Sequence, residues 1–531
     1  MLTRTSLAPS KLIKFSSLSW ITAFVAFIAV LPLLYVVGYG LSLSSDQWLS
    51  LWSTRIPGLL WNTIVLAIIV AIFSLTFGIS SAWIVARKEF VGRKVAIWLL
   101  LLPLTIPTYV FAHIYTVMLE EDGWLGSIWI SIFGEGVLPP DLSSVVGVAF
   151  VLALASFSYI FLLVRASLNQ STQNLEEAAR IQGLNPLQVF TRVNLRLMRP
   201  AIAAGLAVVV LHVLSDFGAV SMLRYQTFTL SIYNQMSGRM DYQAAAGLSF
   251  VLILLSLSFL VVERFFRKRQ RFFVSSQAKV VQRKKASLKE QMLIWFWLGL
   301  ITLFSFILPV SWMIYFSWDS WLQGFIDSDF WRYSFNSGLV SFIAATLALI
   351  VAFPVAFYNA RKQSKLSQGY LQTASLGFAL PGPVLALGVL TLVLAQLPLI
   401  YGTIIALVFA MVIRFLPLAV QAQDAALQQL TPSIEEAGRL FGAGPLENLR
   451  RVILPIVRSG MATAWVLVFI DVLKELPATL ILRPTGFDTL PIRIWIEASE
   501  EMLELAAPAG LMLVIGTIPA IWLMRQSEKI S

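Results

Sequence analysis

Cysteine is absent from all 531 residues, and histidine occurs only twice. Without a thiol there is no disulfide, no thiolate metal site and no thiol nucleophile, while the redox compartment is left open. Charged residues make up 13% of the chain, too few to clothe a water-soluble globule of this length. No stretch reads Gly-x-x-x-x-Gly-Lys-Ser/Thr, so any phosphate-cradling nucleotide chemistry has to come from another polypeptide. No cluster of His or Asp with metal-ligand spacing stands at the end of an apolar run, which argues against a membrane-embedded enzyme.

What the chain has is apolar length. Hydrophobic residues make up 58% of it, with a mean hydropathy of +0.79. Runs of about 20 apolar residues are long enough to cross the hydrocarbon layer as helix. They occur near 18–41, 60–86, 95–118, 145–165, 200–222 and 244–262, then near 291–316, 335–359, 372–396, 400–422, 459–481 and 506–524. The expectation is an all-α polytopic membrane protein of about twelve transmembrane helices. The first run is too long for a signal-peptide core and lacks a convincing small-residue cleavage site after it, so it reads as a retained helix.

The net charge of +11 could suggest nucleic acid, but the placement of the basic residues explains it better. With the N-terminus on the inner side, 31 of the 39 Lys and Arg fall in inner segments. Six fall in outer ones: Arg55, Arg224, Arg239, Arg332, Arg483 and Arg493. Arg414 and Lys474 lie inside spans. That asymmetry orients the chain with both termini cytoplasmic by the positive-inside rule. The basic segment 264–290 reads as a cytoplasmic linker, solvated and drawn to anionic lipid, with no nucleic acid as partner.

Two inner loops repeat one pattern. The first runs Glu176-Glu177-Ala178-Ala179-Arg180-Ile181-Gln182-Gly183-Leu184-Asn185-Pro186-Leu187, and the second Glu435-Glu436-Ala437-Gly438-Arg439-Leu440-Phe441-Gly442-Ala443-Gly444-Pro445-Leu446. Each opens a short helix with acids in the first turn, where the helix dipole favours them, and stops it at a Gly suited to a left-handed cap. Asn185-Pro186 and Gly444-Pro445 then read as N-cap plus Pro at the first position of a second helix. At these residues the chain resembles the permease subunits of ABC importers, whose EAA loop has the form Glu-Ala-Ala, three residues, Gly, and later Ile-x-Leu-Pro. The second copy ends in Val452-Ile453-Leu454-Pro455. The first ends in Val193-Asn194-Leu195-Arg196 and lacks that Pro. The resemblance implies two copies of a separate cytoplasmic ATPase, carrying ATP and Mg, docked under the loops at 175–199 and 434–458. It also implies a periplasmic binding protein above, residence in the bacterial inner membrane, and no cofactor or catalysis on this chain. Glu176, Glu177, Ala178 and Gly183, with Glu435, Glu436, Ala437 and Gly442, become the expected coupling residues, the two leading glutamates anchoring in the ATPase.

The loops belong to a longer duplication. Asn62-Thr63 matches Asn336-Ser337, Ala86-Arg87-Lys88 matches Ala360-Arg361-Lys362, and Pro107 matches Pro381, each 274 positions apart. At the loops the spacing has become 259, because the first half carries an acidic, Trp-containing insertion from Glu120 to Asp141. Domains are expected at 1–263 and 291–531. With six spans each, the halves are parallel and related by a pseudo-two-fold axis normal to the membrane.

Ionisable groups at membrane depth are costly and point to function. His212 and Asp216, four residues apart in the fifth run, map onto Asp471 and Glu475 in the eleventh. Each pair shares a helix face, about 24 Å along the helix from its inner end at 1.5 Å per residue, and so toward the outer mouth. They are candidates for a translocation path. The competing reading is polar packing, with Asp471 satisfied by Lys474 and His212 by a backbone carbonyl. Arg414 is expected to pair with Asp424 or a neighbouring carboxylate.

The segment Asp216-Phe217-Gly218-Ala219-Val220, with Thr227-Phe228-Thr229 and Ile232-Tyr233 downstream, resembles the fused, double-length permeases of ferric-iron uptake systems. That implies ferric iron as cargo. Fused thiamine permeases share the architecture and leave a small organic solute as an alternative. An ion-coupled secondary transporter would also have twelve spans and duplicated halves, but would not need the Glu-Glu-Ala loops.

Overall fold

The computed structural model describes residues 15–134, 136–169, 173–268, 283–440, 442, 444–500 and 506–530. The first half contains α1 (Phe15–Leu41), α2 (Ile56–Arg87), α3 (Thr108–Leu119), α4 (Trp124–Phe133), α5 (Val145–Asn169), the loop helix α6 (Gln173–Ile181), α7 (Leu195–Ser215) and α8 (Tyr242–Lys268). The second contains α9 (Leu288–Thr302), α10 (Leu308–Leu322), α11 (Ser328–Lys362), α12 (Gly382–Gln396), α13 (Ile404–Gln428), the loop helix α14 (Pro432–Leu440), α15 (Leu454–Leu473) and α16 (Ala506–Ile530).

Among the described residues, nine helical stretches are long and apolar enough to cross a membrane, α9 and α10 together forming one of them, or ten if one bent pair counts as a span. The expected twelve is reached only by adding the shorter apolar helices Gly382–Gln396 and Ala506–Pro519. Where the apolar runs break, the sequence supplies a cause. The third run bends by 96° between Arg93–Thr105 and α3, at Pro107, whose ring removes a backbone donor and pushes the preceding residue out of helical geometry. Pro381 caps α12 at the matched place in the ninth run. The fifth and eleventh runs also stop short: α7 ends at Ser215 and α15 at Leu473, and a short helix resumes at Gly218–Met222 and at Pro477–Leu482.

Packing repeats between the halves. α2 lies along α5 and α11 along α13, and these are the most extensive helix pairs. Lipid tails are as apolar as Leu, so close approach of small residues supplies the attraction. Ala344, Ala345, Ala348 and Ala352 on α11 are buried accordingly, as are Ser74 and Ser81 on α2. The leading helices are exchanged. α1 packs on α11, α12 and Lys365–Ala374 of the second half, and Thr22 Oγ1 donates to Pro354 O at 3.2 Å. In return, Trp297 Nε1 donates to Ser80 Oγ and Trp295 Nε1 to Val91 O, both at 3.0 Å, and the Tyr115 hydroxyl donates to Phe304 O.

Of the basic linker, residues 269–282 lie outside the described residues. Its end is fastened, not merely solvated. Lys284–Lys285 pair in parallel with Lys88–Glu89, Ala286 N donates to Glu89 O at 2.9 Å, and Lys88 Nζ meets Glu290 Oε1 at 2.7 Å. The acidic insertion of the first half is occupied by α4, where the second half has a single turn, Pro398–Ile400.

Candidate functional site

Both repeated loops fold as their sequences suggest. Gly183 and Gly442 each stand at φ +85°, a left-handed conformation that is strained for any residue with a Cβ. After α6 the chain turns with Gly183 N bonded to Arg180 O and Leu184 N to Ala179 O, a Schellman arrangement. Asn185 and Gln188 then cap each other reciprocally, at 2.8 and 3.1 Å, and Pro186 opens the next turn of helix. In the second loop Gly444 stands at the N-cap without a side-chain bond, and Pro445 opens the helix. A π-helical turn follows in both, Phe190–Asn194 and Leu449–Ile453. The first loop therefore leaves with the same geometry as the second, although Arg196 stands where the second has Pro455.

The two leading glutamates point inward. Glu176 is 5% exposed and Glu435 6%. Arg87, at the end of α2, donates from Nε and Nη2 to Glu176 Oε1 at 2.8 and 2.6 Å, and from Nη1 to Leu168 O at 3.0 Å. Arg361, on α11, pairs with Glu435 and reaches Leu427 O and Leu430 O at 3.3 and 3.4 Å. Within the chain, both carboxylates expected to anchor in a partner are paired with arginine. Glu177, Ala178 and Glu436 are exposed. Ala437 lies in α14, its side chain outside those described. Beside these, the loops present large apolar side chains outward: Ile181 and Leu440 are each 87% exposed, Leu187 70% and Leu446 77%.

Between the halves lies a cavity of about 530 Å³, with all four intramembrane candidates, His212, Asp216, Asp471 and Glu475, in its wall. Its lining on α5 runs from Ala155 to Arg165, about 15 Å of helix at 1.5 Å per residue, and so toward the side of the repeated loops. Asp216 and Glu475 sit where α7 and α15 break off. Asp216 Oδ1 accepts from Ala219 N and Val220 N at 3.0 and 3.3 Å, and Oδ2 accepts from the Thr108 hydroxyl. Glu475 Oε1 accepts from Ala478 N at 3.4 Å. Each carboxylate thus satisfies orphan donors of the short helix that resumes. Glu475 Oε2 also meets Arg414 Nε at 2.9 Å, and Arg414 Nη1 donates to Leu380 O at 3.0 Å. Arg414 therefore pairs with Glu475; Asp424 instead accepts from Asn359 and Gln428.

Asp471 and Lys474 face each other at 3.7 Å, and Lys474 Nζ donates across the halves to Leu104 O at 3.1 Å. His212 is half-buried, its ring 6.1 Å from that of Tyr159. Phe217 of the lining continues into Tyr233 at 4.6 Å and then into Trp495 of the second half at 5.9 Å, an aromatic chain across the end opposite the loops. No group of three or more His, Cys, Asp or Glu among the described residues could hold a metal ion.

The profile of the family described as "Binding-protein-dependent transport system inner membrane component" matches residues 74–272 and again 344–529, once in each half. The chain belongs to that family. This permease is 30% identical over 526 residues to the Fe(3+)-transport system permease protein FbpB 2 of Haemophilus influenzae, covering 96% of the chain and 99% of that protein. It is 26% identical over 482 residues to the ferric transport system permease protein FbpB of Actinobacillus pleuropneumoniae, covering 85% and 68%. The sulfate transport system permease protein CysT of Escherichia coli is 28% identical over 244 residues, covering 44% of this chain and 85% of that one. The permease is thus a fused, double-domain, multi-pass component of an ABC importer.

Sequence reasoning about this permease did not foresee the Arg87 and Arg361 joints. The signal was there, in the matched triplets Ala86-Arg87-Lys88 and Ala360-Arg361-Lys362. The capping roles of Asp216 and Glu475 were signalled too, by Gly218 and Pro477 just beyond them.

Proposed function

We propose that this permease conducts ferric iron across the bacterial inner membrane, taking it from a periplasmic binding protein and driven by two copies of a cytoplasmic ATPase. The observation that carries the cargo is the end-to-end relation to an Fe(3+)-transport permease, covering 96% of one chain and 99% of the other. Termini and repeated loops are cytoplasmic, in accord with the Lys and Arg distribution. Ile181, Leu187, Leu440 and Leu446 form the apolar tips that seat in the ATPase. ATP and Mg belong to that partner, and no cofactor resides here. With its lining on α5 running toward the repeated loops, the cavity faces the cytoplasm. Closure of the ATPase dimer drives the halves to the opposite opening.

The test is reconstitution into liposomes with the ATPase and a loaded binding protein, following radiolabelled iron(III), thiamine and sulfate. ATP-dependent accumulation of iron alone is the expected result. Thiamine or sulfate uptake without iron would replace the cargo, and uptake driven by an ion gradient without ATP would replace the mechanism.

A further inference from the structure

The Arg87–Glu176 and Arg361–Glu435 joints are the same construction built twice, on residues 274 and 259 positions apart. We propose that Arg87 and Arg361 are the positioning residues of energy coupling: each ties its loop helix to one cavity-lining helix, α5 or α13, and to the helix packed along it, α2 or α11, so that a push on the loop becomes a movement of the cavity wall. The inference rests on the reading that an ATPase docks on the loops.

Each arginine joins three elements. Arg87 belongs to the last turn of α2, Glu176 to the first turn of α6, and Leu168 to the last turn of α5. One guanidinium bonds the carboxylate and the Leu168 carbonyl together. In the second half Arg361 does the same for α11, α14 and the end of α13. On the helix that ends at Leu168, Arg165, Leu162 and Tyr159 line the cavity; on the helix that ends beside Leu427, Gln421, Leu418 and Arg414 do. The joints therefore grip the two helices whose upper turns line the cavity, on either side of the pseudo-axis. The paired side chains are at most 8% exposed, so water competes little for the bonds and the joint resists being drawn apart. The rigid fork of Arg can hold a carboxylate and a carbonyl at once in fixed directions, whereas a Lys ammonium is a point charge on a flexible stem.

The experiment uses the reconstituted full chain with ATPase and loaded binding protein. It measures ATPase retained on the chain, stimulation of hydrolysis by the binding protein, and iron uptake per inserted molecule. For R87K/R361K we expect retained ATPase with stimulation and uptake reduced about tenfold, the scale on which residues in a coupling network act. R87E alone should lose uptake, whereas R87E/E176R should regain folding and ATPase retention but not uptake, because a carboxylate at 87 can rejoin the loop helix yet cannot donate to Leu168 O; full uptake in the swapped variant would also overturn the proposal. Wild-type stimulation in R87K/R361K overturns the proposal. So does loss of the ATPase from E176Q/E435Q while R87K/R361K behaves as wild type, because the glutamates would then touch the ATPase directly. A wild-type chain that binds no ATPase sinks the underlying reading of the loops, and the inference with it.

Discussion

Asp216 and Glu475 hold matched positions in the two halves but have different partners, and the difference sets how each responds to losing its charge. Asp216 accepts only from neutral donors, Thr108, Ala219 and Val220. An Asn there keeps one oxygen for Ala219 N and Val220 N and turns its amide to the Thr108 hydroxyl, which can accept in place of donating, so D216N should fold and insert at close to wild-type yield. Glu475 is the counter-charge of Arg414, in a pair whose side chains are 13% and 6% exposed. Removing one member of a buried pair strands the other at a cost of about 3–5 kcal/mol, so E475Q should lower the amount of monodisperse protein recovered in detergent. The matched residues in the first half explain the asymmetry: Ala155 and Ser215 stand where the second half has Arg414 and Lys474. Equal yields for the two variants would show that Arg414 does not depend on Glu475. Iron uptake per inserted molecule in D216N then reports on the path itself, free of a folding defect.

At the level of the element, the two loop helices reach one shape by different packing. In the second, a Cβ on Gly438 would lie 2.4 Å from Asn448 Oδ1, and Asn448 Nδ2 donates to Glu435 O at 3.1 Å. The first half has Ala179 and Val189 at these places, both buried. G438A therefore forces the loop to shift, at about 1–3 kcal/mol for overpacking of this kind, while G438A/N448V reproduces the pairing of the first half. Expected is a fall in ATPase retention and uptake for G438A and recovery in the double variant. Failure of the double variant to recover would mean that the Asn448 bond, not the space beside Gly438, is what matters. The π-helical turns after both loops show a local feature kept through divergence, since Pro455 and Arg196 leave it unchanged.

At the scale of the whole molecule, the halves are joined less by their linker than by their exchanged leading helices. α1 is seated on the second half, and α9 with the turn that follows it contacts the first through Trp295, Trp297 and Phe304. Fragments 1–275 and 276–531 should therefore copurify and transport when made together, whereas either alone leaves a leading helix without its groove and should be degraded or aggregate. Copurification without transport would assign a working role to the continuity of the linker, since the second fragment keeps the fastened end, Lys284 to Glu290. Independent stability of 1–275 would show that the exchange contributes little.

Much of this architecture is written locally and so could be read from the chain alone. Apolar length marks the membrane helices, Lys and Arg placement marks an orientation, and Pro107, Gly183 and Pro186 mark bends and caps, because each acts on its own few neighbours. The duplication and the repeated Glu-Glu-Ala loops point to an importer permease for the same reason. Partnerships were another matter. That Glu176 turns inward to Arg87, 89 residues away, and that Lys474 reaches Leu104 across 370 residues, depends on how helices of two halves lie against each other. A carboxylate in an amphipathic loop suits an outward or an inward partner equally well by sequence. Only the packing of α2, α5 and α6 around one guanidinium decided between them, because a charge removed from water must find its counter-charge in whatever the fold brings near.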